Sequence, residues 1–425
     1  MTMILARRMK VQNQRTTTDE RGPERAVWRD RRAIALLLAA MLTTMANSTI
    51  SPALPGLRRL FSDDPHAELL TRMLVSAPSL TVVLCAPLIG VITDHLDRRR
   101  TLLLGMAIFV ITGMAGLILP DLPSIFASRL GLGLAVAMIM TTQTALVGDF
   151  FAGPRRQAMT GLQISARNFG GLVFITLAGW LAAYAPRLPF AVYGLAAFFL
   201  PLVWRWIPPT NRAEPANARA DPTWTASPAK VHTPRWPLLV AALALLQMTT
   251  NMIFFLMPTQ LPFYLEASGY DSARATGLAL GCLMISGGFA ALTYPRVVGR
   301  LGYGGTYGLG YLIFAAGLFS LAMAHEPLVI GAAVAAVGVG YSLVMPNFVA
   351  LALDIAPQRK AGFAGGFLTA SVFLGQFLSP LISTPVIVRF GYGPTYTAVA
   401  LLLIAMAAAA LSAPLFRAAR KGQRA

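Results

Sequence analysis

The sequence predicts an all-α polytopic membrane protein with twelve transmembrane helices in two six-helix, pseudo-symmetric bundles. Three observations carry that expectation. First, only 12% of the 425 residues are charged and 56% are hydrophobic, whereas soluble domains carry about 25% charged residues. Second, twelve apolar runs succeed one another between residues 33 and 413, each near the roughly 20 residues a helix needs to cross a bilayer. Third, the second six runs echo the first six. At an offset of 204 residues Arg155 matches Arg359, Gly161 matches Gly365, Ala166 matches Ala370, Phe169 matches Phe373 and Gly171 matches Gly375, and Arg156 pairs with Lys360.

Taken in order, a polar, basic tail (1–32) precedes runs at 33–53, 73–93, 101–119, 124–147, 157–183 and 188–207, the expected first bundle (33–207). The first run is followed by eleven more, so it reads as a spanning helix and not as a cleaved signal. A polar segment rich in Pro, Ala, Asn and Arg (208–235) has no periodic apolar face and reads as a flexible linker. Runs at 236–258, 274–294, 305–324, 328–350, 362–385 and 394–413 make the second bundle (236–413), and a basic tail (414–425) closes the chain.

The basic residues fix an expected orientation. With both termini inside, 27 of the 35 Lys and Arg fall in inside segments, six in outside loops and two within spans, the asymmetry that cytoplasmic loops show. The net charge of +18 is spread over many short loops, so no continuous stripe for nucleic acid exists, and the charge is read as topology plus attraction to membrane lipids. The two cysteines, Cys85 and Cys282, lie inside apolar runs and the four histidines lie in loops. Neither a disulfide framework nor a metal site is expected, and no Gly-x-x-x-x-Gly-Lys-Ser/Thr loop is present for nucleotide. No cofactor is expected.

Polar groups inside a membrane are costly, so each is a candidate for function. All 17 Asp and Glu fall in loops, tails or span ends. Two arginines do fall within spans. Arg167 is expected near the middle of the fifth, beside Asn168. Arg cannot shed its charge, so either carbonyls and cavity water satisfy it or it faces the central cavity and binds an anionic, carboxylate-bearing substrate. Arg129 lies about six residues into the fourth span, and a polar partner near the membrane surface is one reading of it.

Between the second and third spans runs Gly90-Val-Ile-Thr-Asp94-His95-Leu-Asp97-Arg98-Arg99-Arg100. This stretch resembles the loop signature of the major facilitator superfamily, with Gly90, Asp94, Arg98 and Arg99 matching, His95 standing where Arg or Lys is usual and Asp97 where Gly is usual. Arg129 and Gly133 resemble that family's fourth-helix Arg-x-x-x-Gly motif, which is associated with proton transfer. The resemblance implies two rocking bundles around a central site, with the first, fourth, seventh and tenth spans lining it. Asn47, Gln143, Gln247, Asn251 and Tyr341 are then candidate liners, with Gln376 of the eleventh span beside them; for each, a helix–helix hydrogen bond is the alternative. It also implies that the Asp94 loop latches one side of the molecule, with Gly90, Asp94, Arg98, Arg99, Arg129 and Gly133 as the conformational set. Asp97 is expected to strain any left-handed turn that Gly would tolerate. The family's drug-antiporter signature has a Gly-Pro pair before Gly-Gly, whereas this chain has Gly170-Gly171 and no proline between Gly161 and Trp180.

The overall look, above all Asn47–Pro55 and the Gly375-to-Pro380 run, resembles bacterial efflux permeases of the arabinose-efflux type. The expected function is export of a small metabolite, siderophore-like or drug-like molecule by a monomeric, proton-driven secondary transporter in the bacterial inner membrane. The alternative is proton-coupled uptake of an organic anion, motivated by Arg167. A membrane enzyme would need buried acid/base or metal residues, and a receptor a folded soluble domain, and the sequence offers neither.

Overall fold

A computed structural model describes residues 29–95, 97–151, 153–209, 236–357 and 360–412. At 92–95, 153–154, 157, 353 and 361 the backbone alone is described. The side chains of Asp94 and His95, nearly all of the 208–235 linker, most of the first tail and the whole of the last one therefore lie outside the description.

Helices account for the architecture, and no strand occurs among the described residues. The first bundle comprises α1 (Arg31–Ser48), a short α2 (Leu54–Leu60), α3 (Ala67–His95), α4 (Arg98–Met114), α5 (Leu122–Phe150), α6 (Gly153–Tyr184) and α7 (Leu195–Trp206). The second comprises α8 (Trp236–Phe254), α9 (Leu256–Ala267), α10 (Ser272–Met323), α11 (Pro327–Ile355), α12 (Ala361–Phe390) and α13 (Tyr392–Ser412). Aspartates start three helices as side-chain caps. Asp30 accepts from the Arg32 N–H at 2.9 Å, Asp97 from Arg99 at 3.0 Å and Asp121 from Ser124 at 2.8 Å, each satisfying one orphan donor of a first turn. The hydrogen bonds from Ser124 hold the Asp121 carboxyl below the usual carboxylate range. Asp97 has φ −65° and ψ 113°, so the position calls for no left-handed residue and the expected strain is absent; Asp serves there as a cap.

Eleven helical segments among the described residues are long and apolar enough to cross a membrane. One of them, α10, has 52 residues, about 78 Å at 1.5 Å per residue, more than twice a hydrocarbon core of about 30 Å. It is two helices meeting at Gly302, where φ is 70° and ψ 179°, a region essentially confined to Gly. Counted as two limbs, 272–301 and 303–323, it brings the crossings to twelve.

Each bundle has its own apolar core. Leu36, Leu42, Phe109, Phe190 and Tyr193 belong to the first, and Tyr307, Tyr311, Phe314, Phe348 and Tyr396 to the second. Large side chains such as Ile118, Phe198 and Leu328 are exposed on the outside, an arrangement suited to lipid. The bundles meet along two seams, α3 against α12 and α6 against the 272–301 limb of α10.

Candidate functional site

The two ends of the seam differ. At the end where α1 gives way to α2, the bundles are clamped. Glu266 accepts from Arg58 at 2.8 Å and from Arg59 at 2.6 Å, and Arg58 also pairs with Glu68 at 3.1 Å. Arg72, only 2% exposed, bonds to Glu68 and across the seam to Gln260, while its guanidinium lies 4.3 Å from the centre of the Phe263 ring. Gln260 in turn donates to Ser383 at 2.8 Å and Thr384 at 3.2 Å. Ser51 donates to the Pro258 carbonyl. Backbones touch here too, because a Cβ on Gly179 of α6 would lie 2.9 Å from the Gly277 Cα of α10.

At the opposite, basic end no described hydrogen bond or ion pair crosses between the bundles. A Cβ on Gly161 of α6, or on Gly362, Gly365 or Gly366 of α12, would meet nothing within 4 Å. Described ion pairs stay within one bundle: Arg98–Asp149 at 2.5 Å and Arg155–Asp30 at 3.8 Å. The described contacts thus define a cleft between the bundles, closed at the clamp and open beside Gly161, Gly362, Gly365 and Gly366.

A polar layer crosses the cavity's inner end. Ser79 of α3 donates to Gln376 of α12 at 2.8 Å, with the two side chains 1% and 8% exposed. Gln376 therefore bridges the bundles and is not a free liner. The adjacent Gly375 packs on the Met248 carbonyl and Asn251 of α8. Asn251 accepts from the Tyr341 hydroxyl of α11 at 2.8 Å and donates to the Gln247 carbonyl at 3.0 Å, and Ser371 donates to the Gln247 side chain at 3.4 Å. Tyr341 stacks on Phe254, with ring centroids 3.7 Å apart and planes 14° from parallel. Gln247 and Asn251 are 1% and 0% exposed, so with Tyr341 they form a hydrogen-bonded cluster packed inside the second bundle, and sequence reasoning missed Phe254 because an aromatic in an apolar run carries no positional signal.

The first bundle's side of the cleft comes from α1 and α6. Ile34, Leu37, Met41, Thr44 and Asn47 recur at three- and four-residue spacing as the half-buried stripe of an otherwise buried α1. Thr44 and Met284 meet Gly171 of α6, and Asn168 lies against Gly288 of α10. Arg167 is half-buried, its Nε is shielded from solvent without a hydrogen-bond partner, and no hydrogen bond or ion pair reaches it among the described residues. Asn47 and Asn168 likewise make no described side-chain hydrogen bond. Gln143 of α5 is 1% exposed and donates to the Leu36 carbonyl at 2.9 Å, leaving its buried Oε1 unpaired; it ties α5 to α1.

Arg129 is elsewhere. It is wholly buried inside the first bundle, donating to the Tyr193 hydroxyl at 2.9 Å and the Gly113 carbonyl at 3.0 Å between the rings of Phe190 and Tyr193. Gly113 is in the last turn of α4, so Arg129 satisfies one of that helix's orphan carbonyls. Gly133, one turn on, lets α5 close on the Pro78 carbonyl, since a Cβ there would come within 2.2 Å. In the basic loop, Arg98 reaches Asp149 of α5, and Arg99 bonds to the Trp204 carbonyl of α7 with its guanidinium 5.4 Å from that ring. Gly90 lies near Thr141 with room to spare. Among the described residues no cluster of His, Cys, Asp or Glu has the makings of a metal site.

Comparisons with known proteins agree with this architecture. A family profile described as the Major Facilitator Superfamily matches residues 36–380. The chain is similar to the quinolone resistance protein NorA of Staphylococcus aureus (strain Mu50), 21% identical over 348 residues that cover 78% of this chain and 84% of that one. It is similar to multidrug resistance protein 1 of Bacillus subtilis (strain 168), 25% identical over 318 residues covering 73% and 78%. Among solved structures, a D-xylose–proton symporter superposes with a TM-score of 0.76 at 17% identity over 92% of this chain and 98% of that one. The human organic anion transporter MFSD10 gives a TM-score of 0.60 at 19% identity over 89% and 99%. The chain belongs to the Major Facilitator Superfamily and is a multi-pass membrane transporter, not an enzyme.

Proposed function

We propose that the protein is a proton-driven exporter of small drug-like molecules or metabolites that works by alternating access in the bacterial inner membrane. The observation that carries the reading is the asymmetry of the seam, closed by the Arg58–Glu266–Arg59 clamp at one end and open beside Gly161, Gly362, Gly365 and Gly366 at the other. With the basic loops inside, the described state faces the cytoplasm and is ready to load a molecule for export. The similarity to proteins named for quinolone and multidrug resistance supports outward transport. Residues 33–207 and 236–413 are the two rocking units, the 208–235 linker joins them, and the protein acts as a monomer. The Asp94 loop, with Gly90, Arg98 and Arg99, is the latch that engages the second bundle when the basic end closes. Arg129 and Gly133 keep the first bundle rigid while it moves.

Profiling cells and medium with the gene deleted and overexpressed tests direction. Accumulation of a compound inside the deletion strain, with loss from the medium, is the expected result. Retention of a compound in the medium of that strain would instead establish uptake, the reading that the lone charge of Arg167 favours.

A further inference from the structure

We propose that the central cavity is built for an organic anion with an aromatic body, its carboxylate held by Arg167 and Asn168 and its ring laid against the Phe254–Tyr341 stack. The proposal rests on the transporter reading and names the class of molecule carried.

The charge at Arg167 is the starting observation. A guanidinium inside a membrane protein needs an anion, carbonyls or water. Arg129, in the same bundle, has two acceptors and two rings; Arg167 has no described acceptor or ring, though the Nε of both is buried and unpaired. Among the described residues no Asp or Glu pairs with Arg167, and in the sequence every Asp and Glu lies in a tail, a loop or a span end. A planar fork of donors with no internal acceptor, on the wall of a cavity, is complementary to a carboxylate. The adjacent Asn168, also without a described hydrogen bond, adds a neutral donor. A cationic ligand would meet this charge with no acid nearby to offset it.

The aromatic part follows from the seam. Asn168 of α6 abuts Gly288 of α10, and the next residue, Gly287, abuts Gly338 and Ser342 of α11. Ser342 follows Tyr341 in the chain. This succession of contacts places Asn168 in the seam against α10, with the α11 residues that flank Tyr341 packed on the neighbouring α10 position. Tyr341 is fixed by its bond to Asn251 and by its stack on Phe254, so it presents a preorganised aromatic face, the kind of surface on which a flat ring packs at little entropic cost. A molecule with a carboxylate at one end and a ring at the other would meet both groups.

The test is binding to the purified full-length protein, read as a thermal shift and as a half-saturating concentration, with three probes of one shape: 2-naphthoate, neutral 2-naphthamide and cationic 2-naphthylmethylammonium. The expected result is that 2-naphthoate stabilises the wild type and the other two do not. Arg167→Gln should weaken 2-naphthoate roughly tenfold, the size of a lost charge-assisted hydrogen bond, and Arg167→Lys should fall between. Phe254→Leu should weaken 2-naphthoate while leaving hexanoate unchanged, and it decides the matter if Arg167→Gln does not fold. Equal binding of all three probes, preference for the cation, or unchanged 2-naphthoate binding in folded Arg167→Gln would overturn the proposal. Proteoliposome flux separates the two levels. Flux of the cation but not of 2-naphthoate removes the anion proposal and leaves the transporter, whereas 2-naphthoate that binds through Arg167 but is never carried removes the transport reading.

Discussion

Two arginines sit inside the first bundle, and their surroundings give them opposite tasks. Arg129 is enclosed, with the Gly113 carbonyl, the Tyr193 hydroxyl and two aromatic faces around it. Its position at the last turn of α4 also sets its charge at the negative end of that helix. Arg129→Met should therefore cost about 2 kcal/mol of stability, read as a lowered melting temperature in detergent, with transport per folded molecule retained. Arg167 has no such enclosure, and a ligand is the partner proposed for it. Both residues were visible in the sequence as charges in apolar runs, but their fates were not, since the partners of Arg129 lie 16 and 64 positions away. The polar liners divide in the same manner. Gln247, Asn251 and Tyr341 bond to one another inside the second bundle, Gln376 pairs with Ser79 across the seam, and Gln143 bonds a backbone carbonyl. Composition marks all of them as costly in a membrane, and helical periodicity alone does not say which neighbour each one meets.

Among the elements, the apolar runs foretold the helices well because a membrane leaves the backbone few other solutions. The departures come at the ends. The first run is interrupted after Ser48 by a short 3₁₀ turn, Ser51–Ala53, and resumes as α2, as Pro52 and Pro55 require. The polar gap expected between the eighth and ninth spans is helical up to Gly302, because the turn needs one residue of special geometry and not a loop. Gly302→Ala places a Cβ in a conformation that L residues avoid, at a cost of roughly 1–3 kcal/mol. The variant should melt earlier than wild type, while Gly299→Ala, in the same helix with open space around it, should not. Arg187 counts toward topology in the sequence and Asp97 reads there as a strained turn residue, whereas Asp97 and Asp121 cap helices and Arg187 donates to the Leu119 carbonyl at 2.7 Å.

At the scale of the whole molecule, function resides in the balance between the clamped end and the open one. The clamp was not legible in sequence. Arg58, Arg59, Glu68 and Glu266 look like scattered loop charges until folding brings positions about 200 residues apart into one cluster. Its ion pairs are partly exposed, with Arg59 66% accessible and Glu266 19%, so each contributes about 0.2–1 kcal/mol. Such a clamp is strong enough to bias a state and weak enough to break in each cycle. Glu266→Gln should shift the ratio of states toward opening at this end roughly fivefold, equivalent to about 1 kcal/mol, read as faster labelling of a cysteine introduced at Ala267. The measurement that tests alternating access most directly is a pair of spin-label distances in a variant lacking Cys85 and Cys282. One pair, Gly161→Cys with Gly365→Cys, reports the open end, and the other, Arg59→Cys with Ala267→Cys, reports the clamped end. A change of proton gradient or addition of a bound ligand should shorten the first distance as the second lengthens. Two distances that stay fixed, or that change together in the same direction, would contradict the account.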